Sequence, residues 1–148
     1  LKKMFPKRYK QAESSKLITT GIRYLKVFGD FNGEYLAAKS TEVITPKEGA
    51  NIKCILPILN SSVVFFFMKE AYGGMALGGG ITFSPDNLSK IPIPKIDNED
   101  MNRLEAIADE LSKSCFDCTN QDELDSYIYQ LYNLNDYDIQ VIEKFKKQ

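Results

Sequence analysis

The chain has 148 residues, of which 43% are hydrophobic, 26% charged and 11% aromatic, the composition of an ordinary globular domain large enough to hold a core without metal or disulfides. Histidine is absent, which excludes Ser-His-Asp and Cys-His catalysis, two-histidine zinc sites and the usual neutral-pH proton shuttle. The net charge of −1 conceals a segregation: residues 1–26 carry eight basic side chains against Glu13 alone (+7), residues 27–95 balance to zero, and residues 96–148 set five basic against thirteen acidic (−8). The first stretch can meet a polyanion and the last cannot, unless the two ends pair or both are solvated faces.

The sequence opens at Leu1 in a basic run, and a fragment of a longer polypeptide is expected. Residues 16–20 and 22–28 are rich in β-branched and aromatic side chains and read as strands. Asn32-Gly33 supplies a tight turn after which residues 34–38 are expected to return as the hairpin partner, and residues 41–45 before Pro46 form a further strand. A helix starts near Gly49, with Ile52, Ile55, Leu56 and Leu59 at helical spacing and Pro57 expected to kink or restart it. Asn60-Ser61-Ser62 offers an N-cap for a second run through Phe66 and Glu70, with Asn60 expected as a helix cap. A glycine-rich loop at residues 73–80 precedes a short strand at residues 81–83, a capped turn at Ser84-Pro85-Asp86 and the extended Ile91-Pro92-Ile93-Pro94. Three helices follow, from near Asn98, from Asn120 with Glu123 placed as in a capping box, and from Asn135. The fold class is α+β: a small antiparallel β-sheet with packed helices, followed by a C-terminal helical segment. The division expected is a β-rich unit over residues 1–95 and a helical segment over 96–148.

The odd set Cys54, Cys115 and Cys118, with no signal peptide, points to a reducing cytosol. The lone Cys115-x-x-Cys118 pair reads as helix packing rather than a zinc site, and no metal is expected. The apolar stretch from Ile55 to Met68 is interrupted by Asn60, Ser61 and Ser62 and falls short of the ~20 residues of a membrane span, so a cytoplasmic protein is expected. Gly73 to Gly80 lacks the Lys-Ser/Thr of a phosphate-binding P-loop, Asp86 within Ser-Pro-Asp reads as a helix cap rather than the first acid of a metal nuclease core, having no second acid before Lys90, and the carboxylates of residues 97–138 fall on solvated helical faces. No catalytic constellation emerges.

Three patterns in order carry a resemblance: Leu59-Asn60-Ser61 after the small sheet, Leu88-Ser89-Lys90-Ile91-Pro92-Ile93-Pro94 beyond the glycine loop, and the run from Leu124 to Leu134 followed by Asp138-Ile139 and Ile142-Glu143. Over residues 16–147 the chain resembles the TaqI-like C-terminal specificity domain, the target-recognition module of N6-adenine DNA methyltransferases and type IIG restriction-modification enzymes. Domains of type I restriction specificity subunits share part of the pattern. The resemblance implies a parent enzyme that methylates adenine with S-adenosylmethionine and can also cut DNA. This chain has neither the Asn-Pro-Pro-Tyr catalytic motif nor the Phe-x-Gly-x-Gly cofactor motif, so neither methylation nor cofactor binding is expected within it.

The partners expected are double-stranded DNA and the catalytic methyltransferase domain of the parent chain, with no membrane. Phosphate contacts are assigned to Lys10, Lys16, Arg23, Lys26, Lys39, Lys47 and Lys53, and base readout to the segment containing Asn32, Ser40 and Thr41, with the glycine loop also facing the groove. A protein-interaction module docking on another subunit through Val63 to Phe67 or the acidic helices is the alternative.

Overall fold

The computed structural model describes residues 2–21, 25–73, 81–113 and 120–147. Three strands, β1 (Lys16–Thr20), β2 (Val27–Asp30) and β3 (Thr41–Ile44), form an antiparallel sheet in the order β2-β1-β3. Leu17 lies opposite Gly29 on one side and Ile44 on the other, so β1 is the central strand. The expected α+β class with a C-terminal helical segment is what the chain adopts.

Residues 34–38 were expected as a hairpin strand and form none. The carboxylate of Asp30 accepts the backbone N–H groups of Glu34 and Tyr35, each at 2.9 Å, which curls the chain back before a ladder can start. Gly33 sits at φ +69° against the backbone of Glu13, and a Cβ there would lie 2.4 Å from Glu13 O. Only glycine allows that approach and that backbone conformation together. The chain then crosses to the far side of β1, where β3 pairs.

Before the sheet comes α1 (Pro6–Ala12), with proline at its start, no side-chain cap and no buried residue. After it, α2 (Ile52–Leu59) is capped by Asn51, whose side chain accepts from Lys53 N at 3.1 Å. Pro57 does not interrupt α2. The break falls at Asn60-Ser61, where the axis turns by 70° into α3 (Ser62–Tyr72). Ser61, not Asn60, provides the α3 N-cap.

Asn60 does something the pattern did not announce. Its side-chain amide lies along the outer edge of β2, accepting from Val27 N at 3.0 Å and donating to Val27 O at 2.9 Å and Leu56 O at 3.2 Å. A side chain thus closes the backbone groups that an edge strand leaves open. Asn60→Ala is expected to lower stability by about 1–3 kcal/mol, because the backbone groups of the buried Val27 lose their partners. Asn60→Asp, which cannot donate, should be no better, and urea unfolding of both variants checks this.

The expected strand at residues 81–83 is reduced to a single bridge at Thr82, with Phe83 N donating to Gly21 O at 2.9 Å. A single turn, α4 (Pro85–Leu88), is capped by Ser84. Then α5 (Asn98–Lys113), α6 (Gln121–Leu131) and α7 (Asp136–Lys146) follow, with Asn120 capping α6 and a full capping box of Asn135 and Asp138 opening α7. Leu17, Val27, Leu56, Ile58, Met68, Phe83, Leu104 and Ile128 are at most 1% exposed and belong to one core cluster running from sheet to C-terminal helices. Within it α2 lies against α5, and α3 against α6 and α7. No single helix among the described residues is long and apolar enough to cross a membrane; α2 and α3 approach that length only as a bent pair.

Candidate nucleic-acid interface

Of the residues assigned to DNA, Lys16, Lys39 and Thr41 line one cleft, and Lys16 is held there in a buried ion pair. The Lys16 ammonium binds the Asp30 carboxylate, and both side chains are 1% exposed. Lys16 also donates to Ala12 O at 2.7 Å and Ser14 O at 3.3 Å, so its three protons are all directed inward. Lys16 is therefore removed from the phosphate contacts: it is a tie between the end of α1 and the start of the loop after β2. Burial raises the Asp30 pKa, but hydrogen bonds from Lys16 and from the backbone of Glu34 and Tyr35 outweigh it and hold the carboxyl below its usual range.

This tie fixes the base of the segment 31–40 and leaves its rim in water. Asn32, Lys39 and Ser40 are exposed. Thr41 is half-buried, and its hydroxyl donates to Ala38 O at 2.7 Å, so it faces its own turn before any base. The Phe28 and Tyr35 rings meet edge-on with centroids 5.2 Å apart. Between α1 and this segment lies an open cleft of about 310 Å³, lined by Arg8, Gln11, Lys39, Thr41 and Glu42 among others. The Arg8 guanidinium reaches Ala37 O at a long 3.5 Å.

Arg8 was not among the assigned contacts, although it stands in the basic run. What marks it is its place across the cleft from Lys39, a proximity that no spacing in the sequence reveals. Exposed guanidinium and ammonium groups on facing walls, beside amide and hydroxyl groups, are the equipment for gripping phosphate oxygens.

The remaining lysines differ in what they can offer. Lys10, Lys26 and Lys47 are exposed. Lys53 is half-buried, bonded to Asp109 at 2.7 Å and lying 5.2 Å over the Phe31 ring, so its charge is already matched. Arg23 and residues 74–80 of the glycine loop lie outside the described residues, as do Cys115 and Cys118. Cys54 is buried and free, with its thiol pKa raised by that burial.

The acidic helices use several of their carboxylates internally. Tyr127 donates to Asp100 at 2.9 Å and Tyr129 to Glu143 at 2.8 Å, and burial followed by these acids pushes both phenols up. Lys146 binds Asp122, Asp125 and Glu143 at 3.0–3.1 Å. Burial works against its charge, but the three carboxylates more than offset this and hold its pKa above the usual lysine value. These groups join α5, α6 and α7 to their neighbours. In comparison with known proteins, no family model matches the chain, and no curated protein matches it either.

Proposed function

We propose that this chain is the sequence-specific DNA target-recognition domain of a restriction-modification enzyme whose parent is an adenine-specific DNA methyltransferase, with or without an endonuclease. The observation that supports the reading is the cleft between α1 and the 36–43 segment, lined by Arg8, Gln11, Lys39 and Thr41 together with Glu42, with Asn32 and Ser40 exposed elsewhere in the 31–40 segment. In this reading Arg8, Lys10, Lys26, Lys39 and Lys47 bind phosphates and set register, and the rim of the 31–40 segment meets base edges. The acidic helices face away from DNA. S-adenosylmethionine and the flipped adenine belong to the parent's catalytic domain, since the motifs for both are missing from this chain.

The test is a salt titration of fluorescence anisotropy with random-sequence duplex DNA. Reversing Arg8, Lys10, Lys39 and Lys47 to Glu is expected to reduce the slope of log affinity against log salt by about 0.9 per lost phosphate contact, roughly three to four in all. Asn32→Ala and Ser40→Ala are expected to keep that slope and alter preference among selected sites. A slope that the four reversals leave unchanged defeats the proposal. Lys16 is unsuitable as a control, since reversing it breaks the fold rather than a DNA contact.

A further inference from the structure

We propose that the groove between α3 and α7 receives an amphipathic α-helix of a partner protein, with an apolar stripe set into the groove and basic residues along its flanks. The groove encloses about 460 Å³ and is walled by Val64, Phe66, Phe67, Leu134, Tyr137 and Val141. Tyr137 is 74% exposed and Val141 37%, large apolar surface left open among the described residues. The walls are preformed. Phe145 of α7 meets Phe66 of α3 edge-on with centroids 5.3 Å apart, and Asp125 bonds both Ser62 of α3 and Lys146 of α7.

Two features select the occupant. Both walls are helices whose backbone groups bond within themselves, so an extended segment would find no ladder for its own N–H and C=O groups. A helix brings its backbone bonds with it. The length agrees, since the eleven residues of α7 extend about 16 Å, some three helical turns. Charge then sets the flanks: Glu70 and Asp138 line the groove, no lysine or arginine does so among the described residues, and residues 96–148 carry −8.

The groove is a different surface from the cleft beside α1, so the inference does not rest on DNA binding. The probe is a synthetic helical peptide of about sixteen residues with leucines at i, i+3, i+4 and i+7 and lysines flanking the stripe, compared with the same peptide flanked by glutamates. Affinity is read by anisotropy and the site by amide chemical shifts of the whole chain. Expected are saturable binding of the lysine peptide with shifts confined to α3, α7 and the segment around Pro92, at least about tenfold weaker binding of the glutamate peptide, and a preference reduced in Glu70→Lys and lost or reversed when Asp138→Lys is added. Val141→Glu is expected to abolish binding although it adds negative charge, which separates docking in the groove from mere attraction to an acidic surface. Equal affinity for both peptides, shifts elsewhere, or unaltered binding by a folded Val141→Glu variant overturns the proposal. So do the same shifts appearing on concentration without peptide, which would make the occupant a second copy.

Discussion

Lys16→Met is expected to lower the unfolding free energy by about 3–5 kcal/mol, because it leaves the buried Asp30 carboxylate without its cation. With total stability of a domain of this size on the order of 5–15 kcal/mol, that loss is large enough to shift much of the population toward unfolded at body temperature. Asp30→Ala should cost at least as much, since it strands the Lys16 ammonium and also the N–H groups of Glu34 and Tyr35. The double variant Lys16→Met with Asp30→Asn is expected to recover part of the loss, because an amide oxygen still accepts one of the two N–H groups and no buried charge remains. Equilibrium unfolding in urea measures all three, and a cost below about 1 kcal/mol for Lys16→Met would mean that water reaches the pair. The pH dependence has a definite sign. The folded Asp30 carboxyl titrates below its unfolded value, so its contribution is present above about pH 4 and disappears as pH falls through the depressed folded value. Acid should therefore loosen the 31–40 segment, visible as increased amide exchange at Glu34 and Tyr35.

Asp125→Ala is expected to cost a similar 3–5 kcal/mol at the junction of α3, α6 and α7. Asp125 is 1% exposed, and its carboxylate accepts from Ser62 N and Ser62 Oγ at 2.7 Å each, from Lys146 at 3.0 Å and from Gln121 at 3.1 Å. Ser62 is the first residue of α3, so an acid carried on α6 satisfies an unpaired donor at that helix start and complements its dipole. Asp125→Asn should cost about 2 kcal/mol, since its oxygen still accepts but its amide faces donors. Urea unfolding gives the magnitudes, and amide exchange at Ser62 and Val64 shows whether α3 frays first. Equal losses in the two variants would indicate that charge, not acceptor geometry, holds the corner.

The parts of this fold that sequence reasoning reached are those where local chemistry and tertiary placement agree. The stripe Leu104, Ala108, Leu111 on α5, and the caps Asn120 and Asn135, announce their helices because the apolar face is buried and the caps bond as their types predict. Helix α1 gave no such sign, because it buries nothing and so has no apolar period. Asn32-Gly33 gave a misleading one: Gly33 does take a positive φ, but Asp30 captures the donors that a hairpin strand needs.

The candidate interface was legible as charge and not as geometry. Lys16 looked like its neighbours in a basic run, and only β1 register, which puts it opposite Asp30, turns it inward. The Lys53 pairing with Asp109 and the Asn60 pairing with Val27 span 56 and 33 residues and leave no local trace. The facing of Arg8 and Lys39 is of the same kind.

The seating of α2 against α5 has a consequence for synthesis. Ile52, Cys54, Leu56 and Ile58 of α2 are buried, yet the helix that lies against them ends only at Lys113. At about 5–20 residues per second, a ribosome needs several seconds between finishing α2 and finishing α5. The exit tunnel delays both helices alike, so a comparable interval separates their emergence, and during it an oily helix, followed at once by Val63 to Met68, is on display. A nascent chain halted before α5 should engage chaperones that hold exposed apolar segments, and release of that hold should coincide with the emergence of α5.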